Sequence, residues 1–143
     1  MNQLDQEQIT HLILQGEKAR TYAYAPYSGY LVGAALLAAD GQIYTGCNIE
    51  NASYGATNCA ERTAFFNGVS KGASKFLAIA ILGGKENGSL DYAFPCGVCR
   101  QVMQEFCDQD FVVIIAKNKE DYKICSLAEL LPYGFSGDVV LNK

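Results

Sequence analysis

The chain has 143 residues, half of them hydrophobic, which is enough for one domain, residues 1–143, whose core offsets the entropy of ordering. Its net charge is −4, and only Lys117, Lys119 and Lys123 come close to clustering, with Glu120 and Asp121 interrupting them. This argues against nucleic-acid partners, which need a basic surface. No apolar run reaches the roughly 20 residues of a membrane helix, and the polar Met1–Thr10 lacks the regions of a signal peptide, so a cytoplasmic protein with no membrane partner and a small uncharged substrate is expected.

In chain order, Asp5-x-x-Gln8 is a capping-box pattern that starts a helix, with Ile9, Leu12, Ile13 and Gly16 on one face. Tyr22–Gly29 is an aromatic loop containing Pro26. Leu31–Ala39 is a nearly continuous apolar strand ending at Asp40-Gly41, a hairpin signal because the pair tolerates positive φ, and Ile43–Asn48 is the returning strand. Asn51–Asn58 is irregular. A helix runs from about Cys59 to Lys71, with Gly72 as its stop. Phe76–Leu82 is a strand buried on both faces, and Gly83–Tyr92 is a glycine-rich, charged loop. A third helix covers about Pro95–Cys107, with Val102, Met103 and Phe106 on its apolar stripe. Phe111–Ala116 is another buried strand, and Tyr122–Cys125 adds an edge strand. Ser126-x-x-Glu129 caps a short helix through Leu131, stopped by Pro132. Buried strands alternating with helices predict an α/β sandwich with helices on both faces.

The six cysteines suit thiols or metal ligands better than disulfides. Cys47, Cys107 and Cys125 have no special setting and read as small buried hydrophobes. Pro95-Cys96-Gly97-Val98-Cys99 differs, because its two sulfurs project from one face of a helix N-terminus. The positive end of the helix dipole there favours thiolate, the metal-binding form. On its own the pair also fits a redox site or a structural zinc site.

Cys59-Ala60-Glu61 supplies a third cysteine, again at a helix start, beside an acid. A structural zinc takes four closed ligands, whereas a catalytic zinc keeps one position for water. Three cysteines with a nearby glutamate point to the open arrangement; the alternative is a closed site completed by Cys47 or another cysteine. Three thiolates around Zn²⁺ leave a net negative site that weakens acidification of water. The two helix N-termini oppose this. Arg62 does so too if it donates hydrogen bonds to ligand sulfurs; the alternative is a surface arginine paired with an acid. The only histidine, His11, lies in the first helix, away from this cluster. A cysteine beside a glutamate, followed by Pro-Cys-x-x-Cys, is the zinc-deaminase signature in an all-cysteine form.

These residues sit in a longer set of blocks: Pro26-Tyr27-Ser28, Val32–Leu37, Gly46–Tyr54, Cys59–Ala64, Pro95–Gln101, and Leu130-Leu131-Pro132 with Phe135. In this order and over most of the chain, the blocks resemble the small homotetrameric cytidine deaminases. The resemblance implies a three-layer α/β/α sandwich with a mixed sheet of about five strands. It implies that Cys59, Cys96 and Cys99 bind zinc and that Glu61 is the acid/base. Asn48 and Glu50 would hydrogen-bond the ribose 3′-hydroxyl, and the Ala60 backbone would contact the pyrimidine. Ala52, Tyr54 and Phe135 would serve the adjacent protomer of a homotetramer with shared active sites. Tyr30 stands where the family usually has Phe, and its hydroxyl needs a partner if buried. Leu31 stands where the family often has Pro. Arg62 matches the family position.

The implied reaction is hydrolysis of cytidine and 2′-deoxycytidine to the uridines and ammonia, in pyrimidine salvage. Glu61 would take a proton from the attacking water and pass protons to N3 and the departing amine. Glu50 accepts from ribose hydroxyls but repels phosphate, and no P-loop or arginine cluster is present, so nucleosides are expected over nucleotides. The alternatives are a blasticidin S deaminase, a polynucleotide-editing deaminase, a silent zinc module and a redox protein using Cys96 and Cys99. The ribose-type block around Asn48, the acidic charge, and Glu61 beside an incomplete ligand set weigh against them.

Overall fold

In the computed structural model, which describes residues 4–141, helix α1 (Gln6–Arg20) starts where the capping box sets it. Asp5 Oδ1 accepts from the Gln8 amide at 2.8 Å, and Gln8 Oε1 accepts from the Asp5 amide at 3.0 Å. Its buried face carries Ile9, Leu12, Ile13, Gly16 and Ala19. The hairpin follows, with β1 (Tyr30–Ala38) antiparallel to β2 (Ile43–Cys47). The turn needs positive φ at one position only: Gly41 takes φ 92° and its amide donates to Ala38 O at 3.0 Å.

Helix α2 (Ala60–Ser70) ends at Gly72, whose φ is 96°. Strand β3 (Phe76–Lys85) pairs antiparallel with β1 and parallel with β5 (Val112–Ala116), which pairs antiparallel with β6 (Tyr122–Ser126). Between β3 and β5 lie the short strand β4 (Leu90–Asp91), paired to β3, and helix α3 (Gly97–Phe106). The sheet is mixed and six-stranded, in the order β2-β1-β3-β5-β6 with β4 on β3. Helix α4 (Leu127–Leu130) carries the Ser126 capping box.

Side chains alternate across the sheet and build two cores. Ala35, Leu37, Ala78, Ala80, Leu82 and Ile114 pack under α1. Ala34, Leu36, Ile79, Ile81, Val113 and Ile115 pack on the other face with Ala64 and Phe65 of α2 and Met103 of α3. Helices therefore cover both faces, as expected.

Some boundaries differ. Half of the expected loop Gly83–Tyr92 is strand, because β3 continues to Lys85 and turns back into β4. Glycine is needed inside this strand: a Cβ on Gly83 would lie 2.7 Å from Ala93 Cβ and 3.1 Å from Tyr30 Cε1. Pro95 lies outside α3, since Cys96 is the N-cap. A fifth helix, α5 (Gly137–Leu141), has no counterpart in the sequence reading.

The fold brings two helix starts together. β3 and β5 run parallel, and each follows a helix through a short turn. Helices α2 and α3 therefore both begin over the carboxyl ends of these strands, where α/β sheets place their ligands. Gly46 sets how closely α2 approaches β2: a Cβ there would lie 2.4 Å from Ala64 N and 2.5 Å from Ala60 O. Both atoms belong to backbone that cannot yield, so Gly46→Ala lowers the unfolding free energy by about 1–3 kcal/mol. Urea denaturation checks this; an unchanged midpoint would mean that α2 moves without cost.

Candidate active site

Cys59 and Cys96 occupy the N-cap positions of α2 and α3, and neither side chain caps its helix. Good caps carry oxygen; cysteine there leaves free amides to stabilise a sulfur anion. Cys99 lies one turn into α3 and is 1 % exposed. The three sulfurs lie within 4.8 Å of one another, with Cys59 and Cys96 at 3.8 Å. Two sulfurs each about 2.3 Å from a tetrahedral zinc are separated by about 3.8 Å, so the arrangement fits this ion. Among the described residues no fourth ligand joins the group, and Cys47 is not part of it.

The cluster is electrostatically polarised. Arg62 Nη2 donates to Cys59 Sγ at 3.2 Å. The hydrogen bond from the Cys99 thiol, followed by Arg62, holds the Cys59 thiol down at about 5. The same bond, together with burial, pushes the Cys99 thiol up. Of the two settings open to Arg62, the structure has the one that faces sulfur. Cys47, Cys107 and Cys125 are half-buried free thiols, and burial pushes each of them up.

Glu61, in the first turn of α2, is 5 % exposed. Burial, with a smaller push from Cys59, raises its carboxyl to about 7. A carboxyl poised near neutrality can both take and give a proton. Glu61, Cys59 and Cys96 line a cleft of 650 Å³ with the fully buried Ala60.

Asn48, Glu50 and Tyr30 line the same cleft. Their segment is held as a rib: Tyr24 N donates to Asn48 O and Glu50 N to Tyr24 O, each at 2.9 Å, while Ile49 and Asn58 exchange two amide bonds. The Asn48 side chain is buried and bridges β1, accepting from Val32 N at 2.9 Å and donating to Tyr30 O at 2.8 Å. Glu50 Oε1 accepts from the amides of Tyr27 and Ser28, and Oε2 from the Ser28 hydroxyl. The Ser28 hydroxyl bond comes first among the contacts that hold the Glu50 carboxyl below its ordinary range. The extra hydroxyl of Tyr30 finds Asp91 Oδ2 at 3.3 Å, and burial, then Asp91, pushes the phenol up.

Ala52, Tyr54 and Phe135 do not line this cleft. Tyr54 is 77 % exposed and Phe135 60 % exposed.

Other residues escaped the sequence reading. Tyr92, the last residue of the expected loop, forms a wall of the cleft with Ala93 and Phe94, to which the sequence assigned no element. Arg20 donates from Nε to Leu31 O at 2.9 Å and from Nη2 to Gly84 O at 2.8 Å, tying β1 to the end of β3. Arg100 donates to Pro95 O at 2.7 Å and Leu130 O at 2.6 Å, clamping the turn that carries Cys96. Its place directly after Cys99 was the one available signal.

Residues 6–115 match the family model described as the cytidine and deoxycytidylate deaminase zinc-binding region. A cytidine deaminase of Sporosarcina psychrophila is 50 % identical over 128 residues, covering 90 % of this chain and 91 % of its own. One of Halalkalibacterium halodurans is 46 % identical over 127 residues, covering 89 % and 93 %. The crystal structure of a cytidine deaminase from Burkholderia pseudomallei superposes with a TM-score of 0.79 at 44 % identity, covering 87 % of this chain and 97 % of that one.

Proposed function

The chain belongs to the cytidine and deoxycytidylate deaminase zinc-binding family, and from that premise we infer that it hydrolyses cytidine and 2′-deoxycytidine to uridine and 2′-deoxyuridine with release of ammonia, a reaction of pyrimidine salvage. The observation that carries this is the cluster of three sulfurs with buried Glu61 on the cleft that Cys59 and Cys96 line. Cys59, Cys96 and Cys99 hold the zinc, with Arg62 and two helix N-termini offsetting their charge. When bound, zinc would supply Lewis acidity to the reaction. Glu61 takes a proton from the attacking water, delivers it to N3 of the pyrimidine, and moves a second to the departing amine. Water enters and ammonia leaves, so atoms balance.

Ala60 presents its backbone to the base, beside the Tyr30 ring. Asn48 and Glu50 engage a ribose hydroxyl. Ala52, Tyr54 and Phe135, exposed and off their own cleft, complete the site of a neighbouring protomer in a homotetramer, with Phe135 packing on the base. Residues 1–143 act as one catalytic domain. Among the described residues no helix is long and apolar enough to cross a membrane. A cytoplasmic setting suits thiolate ligands, which persist where thiols stay reduced.

The test is to mix purified protein with cytidine, 2′-deoxycytidine and cytidine monophosphate while following ultraviolet absorbance, ammonia and zinc per chain. Both nucleosides react, and the monophosphate reacts with kcat/KM at least about tenfold lower, because the Glu50 carboxylate faces its charge. Equal rates on the nucleotide would overturn the nucleoside preference, and no ammonia from any substrate would overturn the activity.

A further inference from the structure

We propose that Ser28 is a positioning residue that turns the Glu50 carboxylate so that one acceptor position is left for one ribose hydroxyl. This rests on the role proposed above for Glu50. A carboxylate offers about four acceptor positions, two on each oxygen. Oε1 is filled by the Tyr27 amide at 2.9 Å and the Ser28 amide at 3.1 Å. Oε2 takes the Ser28 hydroxyl proton. That proton has one destination, because Ser28 Oγ is itself the acceptor of the Tyr30 amide at 3.0 Å. The Glu50 amide is anchored on Tyr24 O, so backbone and carboxylate are both held. Three of the four positions are occupied, and the remaining one is on Oε2.

The same count applied to Asn48 gives a complementary result. Its Oδ1 accepts from Val32 N and its Nδ2 donates to Tyr30 O, which leaves one N–H and one Oδ1 lone pair. One donor on Asn48 and one acceptor on Glu50 satisfy one hydroxyl. A second sugar hydroxyl finds no second acceptor on Glu50, so its loss costs less than that of the first. Glu50 therefore offers a charged acceptor to one ribose hydroxyl and none to a second. Ser28 and Glu50 both line the cleft, and Ser28 makes its contribution through Glu50.

Steady-state kinetics on cytidine, 2′-deoxycytidine and 3′-deoxycytidine test this with the zinc-loaded protein and the variants Ser28→Ala, Ser28→Cys, Ser28→Thr and Glu50→Gln. In the parent, KM for one of the two deoxynucleosides exceeds that for cytidine by about tenfold or more, the effect of one hydrogen bond to a charged group. The other stays within about threefold of cytidine. Ser28→Ala raises KM for cytidine by about tenfold, moves kcat less, and brings the selective ratio towards one. Ser28→Cys, similar in size but a weak donor, does the same and decides the matter if the alanine variant folds poorly. Ser28→Thr keeps the hydroxyl and the ratio. If Glu50→Gln loses the ratio while Ser28→Ala and Ser28→Cys keep it, Ser28 does not position Glu50. If Glu50→Gln itself keeps the ratio, Glu50 does not engage the ribose and its proposed role falls.

Discussion

Glu61→Gln keeps zinc and fold but deaminates cytidine roughly 10²–10⁴-fold more slowly, the usual contribution of a positioned general acid/base. Glutamine preserves the shape of Glu61 and removes only its ability to carry a proton. The site depends on that ability, because one carboxyl serves both the water and the pyrimidine. Glu61→Ala loses turnover as well, and also removes a buried side chain. The check is single-turnover kinetics with zinc measured on the same sample, and normal turnover in Glu61→Gln would remove Glu61 from the mechanism.

The same substitution has a pH signature after chelator treatment. The folded-state carboxyl is raised to about 7, chiefly by burial, against an ordinary value of about 4.3. A raised carboxyl binds its proton more tightly in the native state. The stability it contributes is fully present below about pH 4 and is lost as pH rises through about 7. Chelated Glu61→Gln, which does not titrate, therefore gains in Tm relative to the chelated parent between pH 5 and 8. A gap that closes over this range would contradict the burial of an ionisable Glu61.

Cys99→Ala reduces zinc from about one per chain towards none and abolishes deamination with it. Cys99 is the most buried of the three sulfur ligands and belongs to no exposed surface that a second ligand could reach. Its removal leaves two sulfurs, too few to hold a catalytic zinc. Cys125→Ala, outside the cluster, keeps its metal. Metal analysis after dialysis distinguishes the two, and full zinc in Cys99→Ala would mean that the ion sits elsewhere. Parent protein treated with chelator should lose activity and regain it when zinc is restored.

Much of this molecule is legible in short stretches of sequence, because local physics decides it. Asp5 and Gln8 cap α1 across a single turn. The 3.6-residue spacing of Ile9, Leu12, Ile13 and Gly16 selects the buried face, and the two-residue period of β1 and β3 assigns side chains to two cores. Each cysteine of the triad and Glu61 sits within a turn of a helix start that its own neighbours specify, while their grouping is legible only as the zinc-deaminase signature. Long-range closeness is what those neighbours leave open. The glycines at 83 and 84 signal a loop in isolation, and only their pairing with Val32, Leu31, Asp91 and Leu90 makes them strand. Arg20 reaches Gly84, and Tyr30 reaches Asp91, across more than sixty residues. Ser28 meets Glu50 because Tyr24 and Asn58 hold the intervening rib in place. Sequence by itself determined helices α1 to α4, the long strands and the residue types at the two helix starts, because those depend on residues a few positions apart, whereas Cys59 meets Cys96 across 37 residues. The tertiary structure alone decided the walls of the cleft and the orientation of its polar groups, because hydrogen bonds between distant segments form only once the sheet has brought them together.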